Sequence, residues 1–137
     1  MSELIPLMAT MREELGYQVD TEVLVEQVDS MMKQRDGRLV VLAARDGRFP
    51  VGYVAGSFCM DPLSRGLSFM ITEVFISRPF RGGRVLKELM HGLDIFVRER
   101  EATTIFALLS RTDRDITSLA ESLGFDNSGK EMIERIL

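Results

Sequence analysis

Four cations, Arg78, Arg81, Arg84 and Lys87, fall within ten residues, with adjacent glycines Gly82 and Gly83 among them. Before them runs an apolar stretch, Val74 to Ile76. After them Val85, Leu86, Leu89, Met90, Leu93 and Phe96 recur at the spacing of one helix face. The pattern is a buried strand, a glycine turn and a helix start. The first amides of a helix have no intrahelical partners, and the helix dipole places partial positive charge there. Glycines let a ligand approach the backbone closely. The segment therefore has the parts of a phosphate cradle. The alternative is a solvated, basic helix start of no special function.

Other residue types with chemical capacity are poorly placed for it. The single histidine, His91, shares a helix face with Lys87, Asp94 and Arg98, which reads as a solvated face. A Ser-His-Asp or Cys-His arrangement then has no base. One histidine and one cysteine exclude a structural zinc site, so no metal is expected. Cys59 lies in a strand-like run and reads as a small core residue.

The elements that must hold the turn can be traced along the chain. Leu4, Met8, Met11 and Leu15 line one helix face that Gly16 can end. A second helix starts at Asp20 or Thr21, with Leu24, Val28, Met31 and Met32 as its core face, and ends at Asp36-Gly37. Apolar runs at Leu39 to Ala44 and Val51 to Met60 flank Asp46-Gly47, a hairpin signal. A third strand covers Leu67 to Ile76. After the long helix come a strand at Thr104 to Leu109, a helix capped at Thr112 or Asp113 and ending at Leu123-Gly124, and a last strand within Lys130 to Leu137. The order is α-α-β-β-β-α-β-α-β, an α/β (α+β) arrangement of helices packed on a mixed, mostly antiparallel sheet.

Composition narrows the classes. At 137 residues the chain is expected to be a single domain, 1–137. A hydrophobic fraction of 45% with 28% charged residues is globular rather than disordered. The net charge of −4 argues against a dedicated nucleic-acid binder. One cysteine excludes an internal disulfide and fits a reducing compartment, so the cytoplasm is expected. No apolar run reaches the ~20 residues of a membrane span, and Met1 to Gly16 lacks the pattern of a signal peptide.

Three stretches carry a resemblance: Glu73-Val74-Phe75-Ile76-Ser77-Arg78-Pro79-Phe80-Arg81-Gly82, the helix Val85 to Arg100, and Ser118-Leu119-Ala120-Glu121-Ser122-Leu123-Gly124-Phe125. Together with the element order, they resemble the GCN5-related N-acetyltransferase (GNAT) family over most of the chain. The Arg-Gly-Gly-Arg-Val turn is similar to that of some phage-encoded members. The resemblance implies the family's fold, with helices on both faces of the sheet. It also implies acetyl-CoA as cosubstrate and direct transfer of its acetyl group to an amine.

The family's pyrophosphate motif, Arg/Gln-x-x-Gly-x-Gly/Ala, falls on Arg81 to Leu86. The leading arginine matches; Arg84 and Leu86 stand where the family has glycine or alanine. The resemblance assigns the pantetheine arm to Phe75, Ile76 and Ser77. It assigns the pyrophosphate to Arg81, Gly82, Gly83, Arg84, Val85, Leu86 and Lys87. Glu73 matches the family's strand carboxylate that acts as general base; otherwise it faces solvent or pairs with an arginine. The family's general-acid tyrosine falls at Ala120, and its asparagine eleven residues before the glycine falls at Asp113. Only Tyr17 and Tyr53 are present, neither in a matching segment. Ser110 is a hydroxyl that could serve the leaving thiolate.

The family's opening strand is short or missing here, so an exposed sheet edge and a homodimer are further expectations. The acceptor is an amine, on a small molecule or a protein. Set against this is a second reading from Leu86 and Ala120: a catalytically inactive module of the same fold, such as a regulator, virion component or CoA sensor.

Overall fold

A computed structural model of the chain describes residues 2–33, 39–61, 66–108, 114–129 and 133–137. Two helices open it, α1 (Ile5–Glu14) and α2 (Thr21–Lys33), behind a single turn at Ser2–Leu4. Pro6 sits in the first turn of α1, where an amide is not needed. Asp20 caps α2, its Oδ1 accepting from the amides of Glu22 at 3.0 Å and Val23 at 3.3 Å.

The sheet has four strands in the order of the chain: β1 (Val40–Asp46), β2 (Phe49–Asp61), β3 (Gly66–Ile76) and β4 (Thr104–Ala107). β1, β2 and β3 are antiparallel, and β4 runs parallel to β3 after the crossover helix α3 (Arg84–Glu99). The expected hairpin forms at Gly47, whose φ is 60°, with Asp46 opposite Phe49. A last helix, α4, covers Arg114–Ser122.

Between β2 and β3 the pairing passes from Ala55 opposite Glu73 to Gly56 opposite Ile71. Thr72 is therefore an extra residue in β3, a β-bulge. At Gly56 a Cβ would collide with the Met70 carbonyl oxygen, so the strands can approach here only with glycine. Because of the bulge, Phe69 and Ile71 face one side of the sheet and Glu73 and Phe75 the other.

The two faces carry separate cores. Leu4, Ile5, Met8, Leu24 and Val28 of the N-terminal helices pack on Tyr53, Ala55 and Phe75. On the opposite face, Leu89, Met90, Leu93 and Val97 of α3 pack on Val54, Phe69 and Ile71. Leu123 and Phe125, beyond α4, lie against this second core. Helices thus cover both faces, and the mixed α+β class is the one expected.

Three expectations are corrected. Met31 and Met32 are exposed rather than core, because the last turn of α2 runs past the buried cluster. Leu15 is likewise exposed, beyond the end of α1. The closing strand is not formed in residues 133–137, where Ile133, Ile136 and Leu137 are exposed. Ile133 and Ile136 are three apart, so they set up no period-two face. Lys130 lies outside the described residues. No described helix is long and apolar enough to cross a membrane.

Candidate active site

β3 ends at Ile76, and a single helical turn, Arg78–Phe80, follows. Phe80 donates to the Ser77 carbonyl at 2.9 Å and Arg81 to that of Arg78 at 3.2 Å. Gly83 caps α3 in a left-handed conformation, φ 89°, which favours glycine. The Lys87 amide donates back to the Gly83 carbonyl at 3.0 Å. The amides of Arg84, Val85 and Leu86 precede that bond and lack intrahelical acceptors. A Cβ on Gly82 or Gly83 would meet nothing within 4 Å, so the backbone is open to approach. The side chains of Val85 and Leu86 are half-buried against the second core. Leu86 is therefore turned into the protein.

The four cations divide into two pairs. Arg78 and Arg81 both hold Glu14 at the end of α1: Arg78 Nε donates to Oε1 at 3.2 Å and Arg81 Nη2 to Oε2 at 2.7 Å. Arg81 also donates from Nε to the Ile76 carbonyl at 2.7 Å, and its guanidinium lies 5.2 Å from the Phe75 ring centre. Hydrogen bonding from Arg81, supported by the charges of both arginines, holds the Glu14 carboxyl below the usual carboxylate range. Arg81 is thus a brace between α1 and the turn. Arg84, 3.4 Å from Glu88, and Lys87 remain exposed on the first turn of α3.

β3 is paired on both sides only as far as Ile71. β4 reaches from Thr104, opposite Ser68, to Ala107, opposite Ile71, and the Leu108 amide donates to the Ile71 carbonyl at 3.3 Å. From Thr72 to Ile76 no strand pairs with that side among the described residues. The Ser77 amide donates to the Val51 carbonyl across β2, at 2.8 Å. By the alternation of a strand, the polar backbone groups of Val74 and Ile76 then face the open side. Phe75 points into the first core and Ile76 packs against the second.

Glu73 leaves β3 toward α1. Arg12 Nη2 donates to its Oε1 at 3.0 Å, and the Tyr53 hydroxyl donates to its Oε2 at 2.8 Å. Arg12 is itself anchored by Nη1 on the Met8 carbonyl at 3.0 Å. The Glu73 side chain remains 28% exposed. Tyr53 is fully buried, with the Met11 sulfur 3.5 Å from its hydroxyl. Burial first, and then the charge of Glu73, pushes the Tyr53 phenol above its ordinary range.

Sequence reasoning left Arg12 and Tyr53 out of the site. Tyr53 did carry a signal: it is the one hydroxyl-bearing aromatic in the β2 run, and such a group needs a partner when buried. The remaining candidates are not gathered here. His91 is exposed on α3, and Ala120 is half-buried on α4. Ser110 and Asp113 lie outside the described residues. Among the described residues no cluster of metal-ligating side chains is found.

The sequence model of the acetyltransferase (GNAT) family matches residues 5–125. No curated protein matches at the level of sequence. A crystal structure of a probable acetyltransferase superposes with a TM-score of 0.84 at 20% identity, covering 98% of this chain and 90% of that one. The ribosomal-protein-alanine N-acetyltransferase of Brucella melitensis biovar Abortus 2308 gives 0.78 at 18% identity, with 98% and 92% covered. AAC(6')-Iy, in complex with the bisubstrate analog CoA-S-monomethyl-acetylneamine, gives 0.78 at 14%, again with 98% and 92%. Identities this low speak for the shared fold, while the family match spans most of the chain: the protein belongs to the GNAT acetyltransferase family.

Proposed function

We propose that the protein transfers an acetyl group from acetyl-CoA to an amine, directly and without a covalent enzyme intermediate. One observation carries this reading. The edge of β3 that is unpaired from Thr72 to Ile76 runs into the open Gly82–Gly83 turn and the first amides of α3. The pantetheine arm lies along that edge and meets the backbone of Val74 and the amide of Ile76, whose carbonyl accepts from Arg81. The pyrophosphate takes the amides of Arg84, Val85 and Leu86, and Arg84 and Lys87 add positive charge. A structural neighbour of the same fold in complex with a CoA-containing bisubstrate analog supports CoA as the donor's carrier.

In the transfer, the neutral amine attacks the thioester carbonyl. The new C–N bond forms, the C–S bond breaks, and CoA leaves as a thiolate that takes up a proton. Glu73 removes the proton from the acceptor ammonium, directly or through water. Arg12 and Tyr53 use one acceptor site on each of its oxygens, and a carboxylate has about four. The acceptor is an amine of a small molecule or of a protein.

A second reading is favoured by the same cluster. Both oxygens of Glu73 already accept a hydrogen bond, and Ala120 supplies no acid for the thiolate. A protein that binds acyl-CoA without transferring it fits those two facts.

Calorimetric titration of acetyl-CoA at low and moderate salt, joined to a thiol-release assay with amines, separates the readings. Saturable binding, weakened in Arg84→Glu/Lys87→Glu and accompanied by thiol release, supports transfer. Saturable binding without release supports the binder. No binding at millimolar acetyl-CoA would overturn both.

A further inference from the structure

We propose that Tyr53 and Arg12 are positioning residues for Glu73, fixing its carboxylate from two independent elements so that it meets an acceptor amine in one orientation. The inference rests on the transfer reading above and deepens it.

The geometry has two halves. From below, the Tyr53 hydroxyl rises out of the sheet and donates to Oε2 at 2.8 Å. Tyr53 is fully buried among Leu4, Ile5, Met8 and Phe75, so its ring cannot swing. A buried phenol also needs a strong acceptor, and Glu73 is the carboxylate within reach. From above, Arg12 of α1 donates to Oε1 at 3.0 Å, and its second nitrogen is held on the Met8 carbonyl at 3.0 Å. Each donor is itself restrained before it touches Glu73.

A glutamate side chain left alone samples many rotamers. Two restrained donors on different oxygens fix both the direction and the plane of the carboxylate. Its remaining acceptor sites are then held in one direction, and the side chain keeps partial exposure. A plain structural tie between α1 and the sheet would need Arg12 alone. The second donor, on the second oxygen and from the opposite side, is what marks the arrangement as positioning.

Tyr53→Phe removes the hydroxyl and keeps the ring. Thiol release from acetyl-CoA is measured with ethanolamine, lysine and spermidine as acceptors, in wild type, Tyr53→Phe, Glu73→Gln and the double variant. Tyr53→Phe should lower kcat about tenfold and leave KM for acetyl-CoA unchanged. Glu73→Gln should lower kcat further, and adding Tyr53→Phe to it should change nothing more. An undiminished kcat in Tyr53→Phe, or an equal loss in both backgrounds, would overturn the proposal. A crystal structure of Tyr53→Phe decides the same point without activity. The Glu73 carboxylate should leave its place or spread over rotamers; a carboxylate unmoved on Arg12 alone would overturn it. Should the wild type bind acetyl-CoA and release no thiol with any amine, the transfer reading fails, and the crystal structure still decides the positioning. Arg12→Met, read in both ways, guards against a single variant that does not fold.

Discussion

Alanine at Gly83 and at Gly82 tests the turn in two separable ways. Gly83 has φ 89° and open space around it, so the penalty of a Cβ there is conformational and not steric. A left-handed backbone costs an L-residue roughly 1–2 kcal/mol. The stiffer unfolded chain gives back on the order of 0.5 kcal/mol. The net loss for Gly83→Ala is about 1 kcal/mol, which lowers Tm by roughly 3–5 °C for a chain of this size. Gly82 is equally open but has no left-handed φ. Gly82→Ala should therefore leave stability within ~0.5 kcal/mol. For acetyl-CoA the expectation differs. If the pyrophosphate comes against this backbone, a methyl at either position obstructs it, and each variant should weaken binding by about tenfold or more, ~1.4 kcal/mol. Thermal melts followed by calorimetric titration read both quantities on the same samples. An unchanged Tm in Gly83→Ala would refute the conformational argument. Unchanged affinity in both variants would refute the backbone cradle.

Three more expectations follow from named contacts. Leu93 is fully buried under α3, so Leu93→Ala should cost about 2–5 kcal/mol in urea unfolding, with an unchanged m-value. The pairing of Glu14 with Arg81 and Arg78 depresses the carboxyl pKa below 4.5. Its contribution is therefore fully present above about pH 4.5 and lost as pH falls through the lowered value. The stability difference between wild type and Glu14→Gln, followed by urea unfolding across pH 2–7, should be constant at the upper end and vanish at the lower; a gap that persists at the acid end would contradict the pairing. His91→Ala, on the exposed face of α3, should leave both acetyl-CoA binding and stability within ~0.5 kcal/mol.

The elements were legible where a residue's pattern is local. The hairpin at Gly47, the Asp20 cap and the apolar stripe of α3 each depend on neighbours in sequence, and each stands where it was expected. The strand, glycine turn and helix start were legible for the same reason. The site was harder to read because its contacts are distant. Glu73 is sixty-one residues from Arg12 and twenty from Tyr53 along the chain, and no periodicity links them. The tie of Arg81 to Glu14, on another helix, is likewise invisible in the spacing of the turn. The inward side of Leu86, by contrast, was legible, because its spacing places it on the apolar face of α3. The last strand is not formed in residues 133–137, where Ile133 and Ile136 do not alternate.

Thr72 stands outside the count that assigns β3 its faces. Strand faces are binary, so each paired residue's side is set by parity, but a bulged residue drops out of the reckoning. Ile71 and Glu73 sit opposite Gly56 and Ala55, neighbours on β2, and so take opposite faces although they are two apart in the chain. Deleting Thr72 would leave that register as it is, with Glu73 still on the side of Tyr53 and Arg12; what it would remove is the local bend and added twist. Deleting Val74 has no such outlet. Either Phe75 would be driven to the face of Leu89 and Leu93, or the strand would take Thr72 back into register and send Glu73 there instead. This strand should thus tolerate the loss of a residue at Thr72 and convert the same loss two positions later into an error of side.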